Sequence, residues 1–327
     1  MLKLFTYHNL SKLRREWIEL YNSNPNLSTF VEYDYFKRTI KYFWYYFFAK
    51  RCHIKYYLIR HNDSPILIAP ILFFSNGKKE LFANINGYNY CDFIYKNCSE
   101  TNDAIKLLYD NIGMFEIYKI RENSTLIKNI PYSLYSVVQI SNVRINFSQN
   151  YDEYYHTLSK SVRQNLRTSY NRLNRAKCSF KLKIVCGGKK DNSFFNDVIN
   201  LYCKRHEKKY NVKHSFIKQY LLKHHHFATE NYKKSANAIT FGLYIDGKLA
   251  SFMSGIVSMQ NEFIVPRLSI NDDLLFYSPG MILINEVIKY LINNTEINVL
   301  DLSQGEEEYK YKMGGSQHLT YTFISKK

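Results

Sequence analysis

The chain has 327 residues and a formal charge of +17, with 46% of its residues apolar and 17% aromatic. That length suits one large domain or two of ordinary size, with apolar content enough for a real core. Membrane-spanning, disulfide-framework and zinc classes are excluded: no apolar window approaches the roughly 20 residues of a span, and Cys52, Cys91, Cys98, Cys178, Cys186 and Cys203 include no C-x-x-C pair. Reduced thiols of a cytoplasmic protein are expected. The opening MLKLFTYHNLSKLRREW has no apolar h-region, so no secretory signal is expected. No metal is expected either, because His224, His225 and His226 are i+1 neighbours that diverge on a helix.

In chain order, Leu10 to Tyr21 and Phe30 to Phe48 have helical spacing. The most apolar window, Tyr42 to Lys50, is read as a buried aromatic helix. Arg38, Lys41, Lys50 and Arg51 flank it, so a peripheral membrane contact stays open, although it is not expected. Residues 54–60 and 65–74, joined by His-Asn-Asp-Ser, read as a hairpin. A strand over 87–95, a helix over 101–113 ending near Gly113, and a strand over 115–120 follow.

The middle of the chain is where the charge lies. Residues 144–234 hold 20 Lys/Arg against 6 Asp/Glu, which is +14 of the total. A regional excess of this kind points to an anionic ligand more than a coding bias does. Over 151–177, Tyr155, Leu158, Val162, Leu166, Leu173 and Ala176 form one helical stripe, with Lys160, Arg163, Arg167 and Arg175 opposite. The basic side is either a solvated face or a phosphate-facing surface. Helices near 193–210 and 215–227 complete a basic helical segment, 151–227.

The second half repeats the element order of the first at an offset of about 185 residues. A hairpin over 238–245 and 248–259 turns on Asp246-Gly247, a strong hairpin signal. A strand over 262–270, a helix over 278–291 and a strand over 297–302 follow. Pro266 inside the first of these strands requires an edge or a bulge, because proline cannot donate to a ladder. Ser278 is expected to cap the helix through its hydroxyl, Pro279 to fill the first helical position, and Gly280 to permit close approach. Such a helix start is an ordinary cap or an anion site. The chain then gathers acids and a lysine in Asp301-Leu-Ser-Gln-Gly-Glu-Glu-Glu-Tyr-Lys310, followed by Gly314-Gly315.

The hairpin, the proline-interrupted strand, the Ser-Pro-Gly helix and this terminal run resemble the GNAT acyltransferase superfamily. The nearest likeness is to the branch associated with cellulose and exopolysaccharide biosynthesis, related to Fem-type aminoacyltransferases. Asp301, Gly305, Glu306 to Glu308, Tyr309, Lys310 and Gly314 carry the terminal motif; Lys160, Arg163 and Arg167 carry the basic helix. The resemblance covers residues 150–327 well and the first half by element order alone. The usual glycine-rich phosphate loop is absent, with Ser278-Pro279-Gly280 in its place.

The resemblance implies an α/β (α+β) fold with two tandem GNAT-like mixed sheets flanked by helices. It implies a degenerate GNAT-like domain over 1–145 and an acyltransferase domain over 146–327. The expected activity is N-acyl transfer from an acyl-CoA, acetyl-CoA first, to a small amine such as an amino sugar, in surface-polysaccharide or secondary-metabolite biosynthesis. Lys310, Asp301, Glu308 and Tyr309 are the candidate catalytic residues. Lys310 would meet charge at the carbonyl, an acid would orient or deprotonate the amine, and Tyr309 is a general acid or packing. The glutamates read equally as an acidic first helical turn, and Lys310 as a surface lysine. Ser278, Pro279, Gly280 and Arg267 are the candidate donor contacts, and Lys160, Arg163 and Arg167 the acceptor or anion contacts. Two alternatives remain: a Fem-like tRNA-dependent ligase, which would make tRNA a partner, and a non-catalytic polyanion or nucleic-acid binder. No helix-turn-helix spacing is visible, so DNA is not an expected partner.

Overall fold

The computed structural model describes the chain except residues 43, 83–89, 188–190, 212–236 and 327; the side chains of residues 42 and 44–46 also lie outside the description. It divides into two compact units, Met1–Ser141 with His318–Lys327, and Asn142–Gln317. The sequence reading placed the last ten residues with the C-terminal half. Their contacts group them with the first unit, because the end of β13 (Gly315–Ser325) pairs with β6 (Ile117–Arg121). The fold is mixed α/β, with two sheets flanked by helices.

In the first unit β1 (Leu2–Tyr7), β2 (Cys52–His61), β3 (Ser64–Phe74) and β4 (Lys79–Leu81) follow one another across a sheet, and β5 (Ile94–Tyr95) pairs with β3. The β2–β3 hairpin is where 54–60 and 65–74 placed it, and its turn puts Asn62 at φ 54°, a left-handed position that asparagine tolerates. Residues 10–21 begin as a 3-10 turn before α1 (Arg14–Ser23); residues 30–48 become a 3-10 turn, α2 (Tyr33–Tyr42) and α3 (Trp44–Ala49). Trp17 is wholly buried, and its indole N–H reaches the Val31 carbonyl at 2.8 Å. α4 (Thr101–Ile112) stops at Gly113, whose φ of 72° closes the helix. Of the strand expected over 87–95, residues 87–89 lie outside the description, and of the rest Ile94–Tyr95 form β5 while 90–93 do not continue it.

In the second unit the strands run in the order β7 (Tyr135–Asn146, in this unit from Asn142), β12 (Val299–Gln304), β11 (Glu262–Ile270), β10 (Lys248–Val257), β9 (Ala238–Ile245) and β8 (Phe180–Cys186). Strand alternation sends Met253 of β10 into one core with α8 (Pro279–Asn294) and Phe252 into another with α7 (Asn192–Tyr210). α8 buries nine side chains, among them Ile282, Leu283, Val287, Ile288 and Leu291. Each fully buried aliphatic contributes about 1.5–3 kcal/mol, so this helix anchors the unit.

The stretch 151–177 is two helices, α5 (Tyr151–Thr157) and α6 (Lys160–Arg175), because Ser159 caps a new start by accepting from the Val162 N–H at 3.3 Å. Ala176 leaves the expected apolar stripe because α6 ends at Arg175: it is exposed past that end, while Leu158, Val162, Leu166 and Leu173 are buried. The helix expected over 215–227 and the triplet His224–His226 lie outside the described residues.

Pro266 marks a bulge. Ser254 faces Arg267 and Ile256 faces Ile264, so β11 spends one residue more than β10 across this step. Gly255 is the residue opposite, and a Cβ there would collide with the Ile264 carbonyl. On its other side β11 pairs with β12 only from Glu262↔Val299 to Ile264↔Asp301. Past that point the parallel ladder stops, and the rest of β11 has a β-partner on one side among the described residues.

Candidate active site

A cavity of about 680 Å³ opens in the second unit where these features meet. Leu268, Ser269 and Ile270 of β11, Ser278-Pro279-Gly280 at the start of α8, Glu307 and Tyr309 at α9 (Glu308–Lys312), and the last turns of α7 line it. The Asn271 N–H donates to the Ala250 carbonyl of β10 at 2.7 Å. By alternation the backbones of Leu268 and Ile270 face away from β10, into the gap left by the ended ladder. The Ser269 hydroxyl is buried, with its residue 4% exposed, and it finds no hydrogen-bond partner among the described residues. A buried hydroxyl of this kind is costly unless a ligand satisfies it.

The start of α8 differs from the expected cap. Ser278 has φ 53° and ψ 51°, and its side chain caps nothing. The proline that follows bars Ser278 from the right-handed helical region, and the residue also ends the preceding 3-10 turn, so it adopts a left-handed conformation. Pro279 does occupy the first helical turn, and its carbonyl is held by the Ser251 hydroxyl at 2.9 Å. Met281 and Ile282 donate back to the Ser278 carbonyl. The cavity thus meets a helix N-terminus of sixteen residues, a favourable place for an anion.

Lys310 is placed differently from the sequence expectation. It is 3% exposed, and its ammonium lies 3.3, 2.9 and 3.1 Å from the carbonyls of Ser303, Gln304 and Gly305 and 2.9 Å from a Glu307 carboxylate oxygen. Its three N–H bonds are all engaged, so it presents no free ammonium to the cavity. It is neither the surface lysine nor the direct carbonyl contact; it knots the β12–α9 turn. Asp301 is also buried, with 0% exposure, and accepts the Ser303 N–H at 2.7 Å beneath the same turn. It does not line the cavity. Gly305 supplies the φ of 111° that this turn needs.

Glu308 points to solvent and pairs with Lys312 at 2.8 Å. The cavity acid is Glu307, the N-cap residue of α9, one position earlier and so turned to another face. Burial raises the Glu307 carboxyl, but the bond and charge of Lys310, with a lesser contribution from Lys209, hold it below the ordinary glutamate range. Tyr309 lines the cavity, and burial, helped by Glu307, pushes its phenol well above the ordinary range.

Arg267 is buried behind the lining: it donates to the Pro266 carbonyl at 2.9 Å and lies 5.9 Å from the ring of Tyr202, which faces the cavity. Lys160 and Arg167 are exposed, and Arg163 donates to the His156 carbonyl at 3.0 Å; none of the three lines the cavity. The basic side chains that do line it were missed. Arg205, His206 and Lys209 share one face of α7 with Tyr202. Their i, i+3, i+4, i+7 spacing was a readable signal.

Residues 160–311 match the model of the acetyltransferase (GNAT) domain. With the fold, this match supports an acyltransferase whose residues 160–311 are similar to a GNAT domain. No curated protein sequence matches the chain. Among solved structures, FemX is similar with a TM-score of 0.59 at 9% identity, over 98% of this chain and 97% of that one. L-PGS from Bacillus licheniformis has a TM-score of 0.52 at 11% identity, over 89% and 91%. The C-terminal domain of a protein from Agrobacterium fabrum described as a lysylphosphatidylglycerol synthetase has a TM-score of 0.56 at 10% identity, over 96% and 93%. At these identities the likeness is one of fold.

Proposed function

We propose that this protein moves an acyl group, acetyl foremost, from an acyl-CoA to an amine such as that of an amino sugar, in surface-polysaccharide or secondary-metabolite biosynthesis. The observation that carries the reading is one cavity joining a helix N-terminus, an unpartnered buried hydroxyl, basic side chains and one carboxylate. The residues present suit a phosphate-bearing donor: the α8 start, with Arg205 and Lys209, favours its anionic part, and Ser269 gains an acceptor. When bound, the donor supplies an activated thioester carbonyl.

The chain's own residues do the rest. Backbone N–H groups of β11 beyond the bulge face the gap and can meet a developing oxyanion. Glu307, ionised and held by Lys310, orients the acceptor ammonium and takes its proton. Tyr309 keeps its proton until a leaving thiolate needs one. Lys310 and Asp301 fix the turn that places Glu307. A second reading, a Fem-like ligase using an aminoacyl-tRNA, draws support from the exposed Lys160 and Arg167 face of α6. The reading is tested by incubating the protein with an acyl-CoA panel and candidate amines, detecting N-acylated product by mass spectrometry. Product that disappears with Glu307→Gln supports it; absence of product with every donor, while an aminoacyl-tRNA yields one, overturns it for the second reading.

A further inference from the structure

The segment that delivers the chain into Ser278-Pro279-Gly280 is a 3-10 helix, Asp272–Tyr277, in which no residue is buried. Leu274 and Tyr277 only touch the core from a half-buried position. Charge does most of the fixing. The Asp272 side chain is 15% exposed; it takes Arg205 on Oδ1 and Lys208 on Oδ2, the latter at 2.5 Å. From α6, Arg172 donates to the Phe276 carbonyl at 2.7 Å and lies 4.7 Å over its ring. The neighbouring Asp273–Lys204 pair differs: its side chains are 70% and 65% exposed, so it is screened and weak.

Asp272 is therefore singular in this segment. It is largely shielded from water, it joins two cations of α7, and one of them, Arg205, lines the cavity. A single carboxylate ties a cavity cation to the turn that ends in the start of α8. The Lys208 bond outweighs burial and, with the Arg205 charge, holds the Asp272 carboxyl below its ordinary range.

We propose that Asp272 is a positioning residue for the donor site: it aims Arg205 at the phosphate-bearing part of the donor and latches the 272–277 turn to α7, setting the position of Ser278-Pro279-Gly280. This rests on the acyl-CoA reading above. Without the carboxylate, Arg205 is free to swing into solvent and the turn loses its tie to α7. Binding then pays to reorder both, which raises KM and leaves the chemical step alone.

The test compares wild type, Asp272→Asn, Asp272→Glu and the control Asp273→Asn. Three quantities are measured: CoA affinity by calorimetry, amide exchange of residues 271–281 without ligand, and KM against kcat for acyl-CoA. Expected for Asp272→Asn are faster exchange, CoA binding weaker by about tenfold, a matching rise in KM and a kcat near wild type. Asp272→Glu recovers most of the affinity, and Asp273→Asn behaves as wild type. CoA binding by Asp272→Asn as tight as wild type overturns the proposal, as does an equal loss in Asp273→Asn. A wild type that binds no CoA removes the donor reading itself and the proposal with it, so the two failures are told apart.

Discussion

A lysine that is 3% exposed must direct every N–H at an acceptor, and Lys310 does so with three carbonyls and Glu307. Truncating it strands those carbonyls beneath the turn. Lys310→Ala is expected to lower unfolding stability by about 2–4 kcal/mol, together with turnover. Guanidinium titration checks this, and a stability near wild type would show that the turn holds without Lys310. In the first unit Asp92 is buried, with its carboxylate accepting the Phe93 N–H at 2.8 Å. Burial pushes it up to about 7 against the pull of that bond and of Arg121. Because the folded state raises this pKa, the favourable balance is full below the unfolded value of roughly 4. It is lost as pH rises through the folded value of about 7. Asp92→Asn is expected to flatten that decline, read from melting temperatures across the range; an unchanged decline assigns it elsewhere.

At the scale of elements, the bulge in β11 and the glycine opposite it open the sheet. Gly255→Ala places a methyl against the Ile264 carbonyl. A loss of about 1–3 kcal/mol is expected, with acyl transfer reduced because the ladder must shift; a silent substitution would mean the step is not tightly built. Pro266 made this bulge legible, as Asp246-Gly247 did the hairpin, since each encodes a backbone constraint in one or two residues. β7 and β13 were not foreseen. Stretches such as Tyr135–Asn146, rich in Ser, Gln and Asn, lack clean alternation and owe their pairing to partners distant in sequence. The site was legible to the same degree. Ser278-Pro279-Gly280 and Tyr309 could be named from local motifs, whereas Glu308 was chosen over Glu307 because helix phase at a five-residue helix depends on where the turn ends. The spacing of Tyr202, Arg205, His206 and Lys209 discloses a shared helix face, but that this face meets the cavity depends on the packing of α7.

For the whole molecule, the basic excess of 144–234 falls in the second unit. Part of it serves the cavity, through Arg205 and Lys209, and part remains on the exposed face of α6. Among the described residues no helix is long and apolar enough to cross a membrane. The GNAT match lies inside the same unit, as does the cavity proposed for the donor. Amide hydrogen exchange with and without CoA tests this most directly. The account expects CoA to slow exchange at 268–270, 278–282 and 305–310 and leave the first unit unchanged; protection confined to residues 1–141, or none at any concentration up to millimolar, would contradict it.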